Sequence, residues 1–179
     1  FAKALAAKIF KDLKCEVHIA HSLADAQKAI EDEGDFFAAI IDCVEMSSDD
    51  IASIDLCLKS NISTALIIKE ADNDTLSIVN SKNIADYVLR RDIDDIDSLV
   101  RIIKRLALNT NIEMLLVGDF FTQNLELVGL LYANKFKGVS CANPKEALSI
   151  LALNQNIEVV VVDLKTSEDE MFGVLDSIR

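Results

Sequence analysis

Apolar runs of strand length alternate with stretches of helical period along almost the whole chain. The spacing predicts strands over 16–20, 36–41, 64–68 and 85–89, and helices over 23–33, 50–59, 72–82 and 93–108. The opening Phe1-Ala-Lys-Ala-Leu is also amphipathic helix in character. The helix over 93–108 has the clearest pattern, with Ile93, Ile96, Leu99, Val100, Ile103 and Leu106 near i, i+3, i+4 and i+7. Ser22 stands where an N-cap belongs. The strands are continuously apolar, as in sheets covered on both faces. Such alternation implies an α/β fold, with parallel strands joined by right-handed crossovers.

After residue 109 the pattern restarts. Strands are predicted over 114–117, 139–142 and 159–162, and helices over 122–134, 144–153 and 170–179. Asn143 and Pro144 supply an N-cap and a first-turn proline. A shift of 122 residues sets Leu5 on Leu127, Ile9 on Leu131, Phe10 on Tyr132, Val17 on Val139 and Ala20 on Ala142. A shift of 121 then sets Ala26 on Ala147, Ile30 on Leu151 and Asp42 on Asp163. The one-residue slip falls in a turn, where loops absorb length changes. Two tandem copies are therefore expected, over 1–109 and 110–179. Copy one lacks the strand that opens copy two, and copy two stops before its last two strands. The expectation is either a piece of a longer protein or two copies that complete each other, with the strand 114–117 filling the empty slot of copy one.

Composition narrows the functional classes. Half of the 179 residues are apolar (51%), enough for a core, but no run approaches the roughly 20 residues of a membrane helix. The net charge of −12 argues against direct nucleic-acid binding and against anionic membrane surfaces. Cys15, Cys43, Cys57 and Cys141 form no CxxC pair or metal spacing, so they are expected as reduced, mostly buried thiols of a cytoplasmic protein. His18 and His21 are expected in exposed or capping roles. No GxxxxGK[ST], GxGxxG or HExxH motif is present, which removes a flavodoxin-like enzyme with a phosphate-cradling loop.

The residues with chemistry to offer are Asp42 and Asp163, one step past the strands Ala-Ala-Ile-Ile and Val-Val-Val-Val. This placement, repeated in both copies, resembles the receiver domain of two-component response regulators. The resemblance implies a doubly wound, five-stranded parallel sheet of the flavodoxin-like order, in two copies, with ligands bound beyond the carboxyl ends of the strands. It implies that Asp42 or Asp163 accepts a phosphoryl group from a histidine kinase or a phosphotransfer protein. Mg²⁺ would be held near Asp42, Asp119 and Asp163. It further implies a homodimer and no enzymatic turnover by this portion. An attached output domain, such as a diguanylate cyclase, would follow the receivers, and the helix over 93–108 suits a rigid link between domains.

The chain departs from the receiver pattern at several positions. The paired acids after the first strand read Gly118-Asp119, so one is lost. The hydroxyl after the fourth strand is replaced by Lys69, which could neutralise Asp42 directly or extend to solvent. The lysine after the fifth strand is replaced by Arg90, followed by Arg91 and not by proline. These departures leave a second reading open: a pseudo-receiver that dimerises or binds partners without phosphoryl chemistry.

Overall fold

The computed structural model describes residues 1–43, 46–90, 95–118 and 125–163. The chain divides into two compact units, Phe1–Leu106 and Ala107–Arg179.

The first unit runs α1 (Ala2–Leu13), α2 (Leu23–Glu33), β1 (Ala38–Cys43), α3 (Ser48–Lys59), β2 (Ser63–Ile68), α4 (Asn73–Ser81), β3 (Asp86–Leu89) and α5 (Asp95–Asn109). The final residues of α5 fall in the second unit. The three strands form a parallel sheet in the order β1-β2-β3. β2 is buried along its whole length, and its side chains alternate between two cores. Ala65 and Ile67 meet Leu5 and Ile9 of α1 and Leu99, Ile103 and Leu106 of α5. Leu66 and Ile68 meet Ile54 of α3 and Val79 of α4. The unit is thus helix, sheet, helix in three layers.

Local chemistry sets the helix ends. The Ser22 hydroxyl accepts from the Asp25 amide at the start of α2, and Gly34, at φ 80°, ends it. Ser47 and Asp50 form a reciprocal capping box on α3. That cap starts the helix before the predicted Asp50. Asp72 caps α4 by accepting from the Thr75 amide at 2.8 Å.

The second unit runs β4 (Glu113–Val117), α6 (Leu125–Ala133), β5 (Lys137–Cys141), α7 (Pro144–Leu153) and β6 (Ile157–Val162). Its parallel sheet has the order β5-β4-β6. Leu115 and Val117 of β4 face Ala147 of α7, while Leu116 faces Val128 of α6. Asn143 caps α7 by accepting from the Glu146 amide, and Pro144 occupies its first turn.

Two expectations are corrected. Residues 16–20 form no strand, and the described residues hold two three-stranded sheets in place of a five-stranded one. An apolar segment becomes a strand only beside a ladder partner, and among the described residues no strand pairs with 16–20. In the second unit β4 is the central strand, between β5 and β6. For the same reason the strand 114–117 does not fill a slot in copy one, because both its edges are taken within its own unit. The predicted helix over 170–179 and the first residues of that over 122–134 lie outside the described residues, as do Ile93 and Arg91.

Candidate functional site

The carboxyl ends of β1, β2 and β3 lie side by side and present Asp42, Lys69 and Arg90 in that order. Asp42 is the penultimate residue of β1, in register with Ile67, so it lies within the ladder and not past its end. Arg90 directly follows β3, and its amide donates to the Ile68 carbonyl at 2.8 Å, which fixes the root of the side chain. Two inter-strand steps of about 4.8 Å separate β1 from β3, a gap that an arginine spans when a carboxylate reaches back. Arg90 Nη1 donates to both Asp42 oxygens, at 3.1 Å to Oδ1 and 3.0 Å to Oδ2.

The Arg90 guanidinium also lies 5.4 Å from the centre of the Phe1 ring. A cation over an aromatic face is attracted to it, and the planar guanidinium suits that stacking. Phe1 thus joins Asp42 in holding Arg90. Nothing in the sequence spacing marks Phe1 for this role.

Lys69, one of the two cations expected near Asp42, is exposed and makes no ion pair among the described residues. Of the alternatives the sequence left open, the solvent-extended lysine is the one observed. The ammonium is compact and strongly hydrated, whereas the guanidinium offers several donors and a stacking face.

Asp163 directly follows β6, and its amide donates to the Val117 carbonyl at 3.0 Å. It belongs to the second unit and Asp42 to the first, so they are separate candidate positions. Asp119 lies outside the described residues. Its neighbour Gly118 has φ 130° and donates its amide to the Cys141 carbonyl at 2.8 Å. Side-chain-bearing residues rarely adopt that φ, so the turn as built favours glycine at a position where receivers carry an acid.

Magnesium takes one or two carboxylates and completes an octahedral oxygen set with water, so Asp42 is the residue of this edge that would hold it. Asp42 offers one carboxylate with both oxygens engaged by Arg90. No group of three or more His, Cys, Asp or Glu side chains suited to a metal occurs among the described residues. The arrangement provides a carboxylate and a guanidinium at the open end of a parallel sheet, able to exchange their mutual contact for contact with an oxyanion.

All four cysteines are free; Cys43, Cys57 and Cys141 are buried, and Cys15 is exposed. Burial, reinforced by the Asp50 and Asp42 charges, pushes the Cys43 thiol up to about 12. His18 is exposed, 3.0 Å from Glu33, and the His21 amide donates to Asp25 near the start of α2.

No protein-family model matches the chain, and no curated protein does. Two solved structures are similar in fold. One, described as a two-component system response regulator/GGDEF domain protein, superposes with a TM-score of 0.72 at 21% identity, covering 93% of this chain and 67% of that one. Another with the same description gives a TM-score of 0.67 at 19% identity, covering 88% of this chain and 64% of that one. The chain therefore spans about two thirds of the length of each. Among the described residues no helix is long and apolar enough to cross a membrane. At these identities the likeness is one of architecture: the chain has an α/β, receiver-like fold shared with response regulator/GGDEF domain proteins.

Proposed function

We propose that the chain is the signal-accepting portion of a response regulator and that Asp42 is its phosphoryl acceptor. The observation that carries this reading is the Arg90–Asp42 contact at the carboxyl edge of the first sheet. There a nucleophilic carboxylate and a cation stand together, open to a partner. One Asp42 oxygen attacks phosphorus, and the P–N bond of a partner's phosphohistidine breaks. The imidazole leaves with the electron pair of that bond. Arg90 then turns its donors from the carboxylate to the phosphoryl oxygens and screens their charge. The partner is a histidine kinase or phosphotransfer protein in the cytoplasm, and the protein acts as a homodimer. Both structural neighbours carry a GGDEF domain, and the reading extends to an output of that kind in the whole protein. Phosphoryl uptake from a small acyl phosphate, followed by intact mass in wild type and Asp42→Asn, tests it.

The acceptor position of the second unit, Asp163, is the weaker candidate, because Gly118 replaces an acid there. A second reading is a pseudo-receiver that binds partners without accepting phosphate. Lys69 in the hydroxyl position, Arg90 in place of a lysine and Gly118 in place of an acid favour it. Under that reading dimerisation is constitutive and indifferent to phosphodonors.

A further inference from the structure

The Arg90 guanidinium has two partners, and they hold it by different means. Asp42 holds it through a directed donor: Nη1 donates to both carboxylate oxygens, at 3.0 and 3.1 Å. Phe1 holds it through charge: the guanidinium carbon stands over the ring, 5.4 Å from its centre and within reach of a cation–ring attraction. That attraction uses up no N–H donor. It therefore persists when the donors change partners.

Phe1 is 41% exposed and belongs to none of the hydrophobic clusters among the described residues. Its backbone is nonetheless fixed. The Phe1 carbonyl accepts from the Leu5 amide at 3.0 Å, and Leu5 is buried in the cluster that joins α1 to α5. Arg90 is rooted in turn by its amide on the Ile68 carbonyl. Beyond that root its long side chain is 41% exposed, and without a second hold it would sample many rotamers.

We propose that Phe1 is a positioning residue for the Asp42 acceptor: its ring keeps the Arg90 cation at the site while the Arg90 donors pass from the carboxylate to incoming phosphoryl oxygens. The inference rests on Asp42 as the acceptor and adds a residue from outside the strand ends. With acetyl phosphate as donor, an Asp42 oxygen bonds to phosphorus. The P–O bond to acetate breaks, and acetate leaves with that electron pair. A guanidinium that stays in place offsets the repulsion between the two anions as they meet. Without the ring Arg90 spends more time in solvent, and uptake slows.

The test is a double-mutant cycle on the Phe1–Arg179 chain. Intact mass gives initial rates of uptake from acetyl phosphate, in magnesium-containing buffer, for wild type, Phe1→Leu, Phe1→Tyr, Arg90→Ala and the Phe1→Leu/Arg90→Ala pair. Phe1→Leu is expected to slow uptake about two- to fivefold, the population change that an exposed cation–ring contact supports. Phe1→Tyr keeps the wild-type rate, and Phe1→Leu has no further effect once Arg90 is alanine. Phe1 is exposed, so its variants fold, which circular dichroism confirms. A second readout needs no phosphodonor. In arginine-labelled protein, contact with Asp42 slows rotation about the Arg90 Cζ–Nη bonds, and NMR exchange should show that rotation quicken in Phe1→Leu. A wild type that takes up no phosphoryl overturns the acceptor reading, and the NMR readout then decides the role of Phe1. Uptake at the wild-type rate in Phe1→Leu, equal slowing by Phe1→Leu with and without Arg90, or Arg90 rotation unchanged by Phe1→Leu overturns the positioning role; uptake lost in Asp42→Asn would still leave Asp42 the acceptor.

Discussion

Arg90 holds Asp42 from two strands away, one guanidinium nitrogen contacting both carboxylate oxygens at 3.0 and 3.1 Å across the end of β2. The contact links the outer strands of the first sheet at its carboxyl edge, where open α/β sheets bind ligands. Both side chains are more than 40% exposed, so water screens the pair.

Arg90→Ala should accordingly lower stability by no more than about 1 kcal/mol, since exposed ion pairs contribute little. Its effect should appear in the reactivity of Asp42. Urea denaturation of wild type and Arg90→Ala reads the first effect, and the rate of phosphoryl uptake reads the second. A stability loss several times larger would make the pair a structural strut.

Leu66 is fully buried at the centre of β2, packed with Ile54 and Val79. Leu66→Ala should cost about 2–5 kcal/mol through lost burial and the cavity left behind. The midpoint of urea unfolding reports it, and a loss below about 1 kcal/mol would mean that the sheet can collapse around the gap.

The helix positions were largely legible in the sequence because periodicity and caps act locally. Ser22, Asn143 and Pro144 could be assigned before any coordinates, and the helix over 144–153 matches α7. The segment 16–20 was not legible, because its apolar residues say nothing of whether a neighbouring strand is present to pair with them. The candidate site was half legible. Asp42 and Arg90 could be picked out as strand-end residues, but which of Lys69 and Arg90 reaches Asp42 depends on side-chain trajectories. The Phe1 contact depends on tertiary placement alone.

Ser47→Ala should cost about 1 kcal/mol by removing one half of the capping box on α3, with Ser47→Asp recovering most of it. Thermal unfolding of the three forms gives the comparison. Equal midpoints would show that Asp50 alone holds the helix start.

Acid should act through Asp72. Its hydrogen bonds to Thr75 hold the carboxyl below the usual 3.8. The folded value is depressed, so its contribution to stability is present above the unfolded value. That contribution is lost as pH falls through the folded one. Asp72→Asn keeps a capping oxygen without the titration. Wild type should therefore lose more stability than Asp72→Asn as pH is lowered from neutral through the carboxylate range. Parallel acid limbs in denaturation curves would contradict this.

The exposed Cys15 should alkylate quickly at neutral pH, while Cys43, Cys57 and Cys141 react only on unfolding. For Cys43 the reason is twofold, burial and a thiol held near 12. Peptide mapping after a short iodoacetamide pulse distinguishes the four, and early labelling of Cys43 would show that the end of β1 opens in the native state.

The central claim is that Asp42 accepts a phosphoryl group. The direct measurement is intact mass after incubation with acetyl phosphate in magnesium-containing buffer, run on wild type, Asp42→Asn and Asp163→Asn. The account predicts one added phosphoryl in wild type and in Asp163→Asn, and none in Asp42→Asn. A folded wild type that gains nothing from a donor active on a control receiver, or an Asp42→Asn variant that gains as much as wild type, would contradict it.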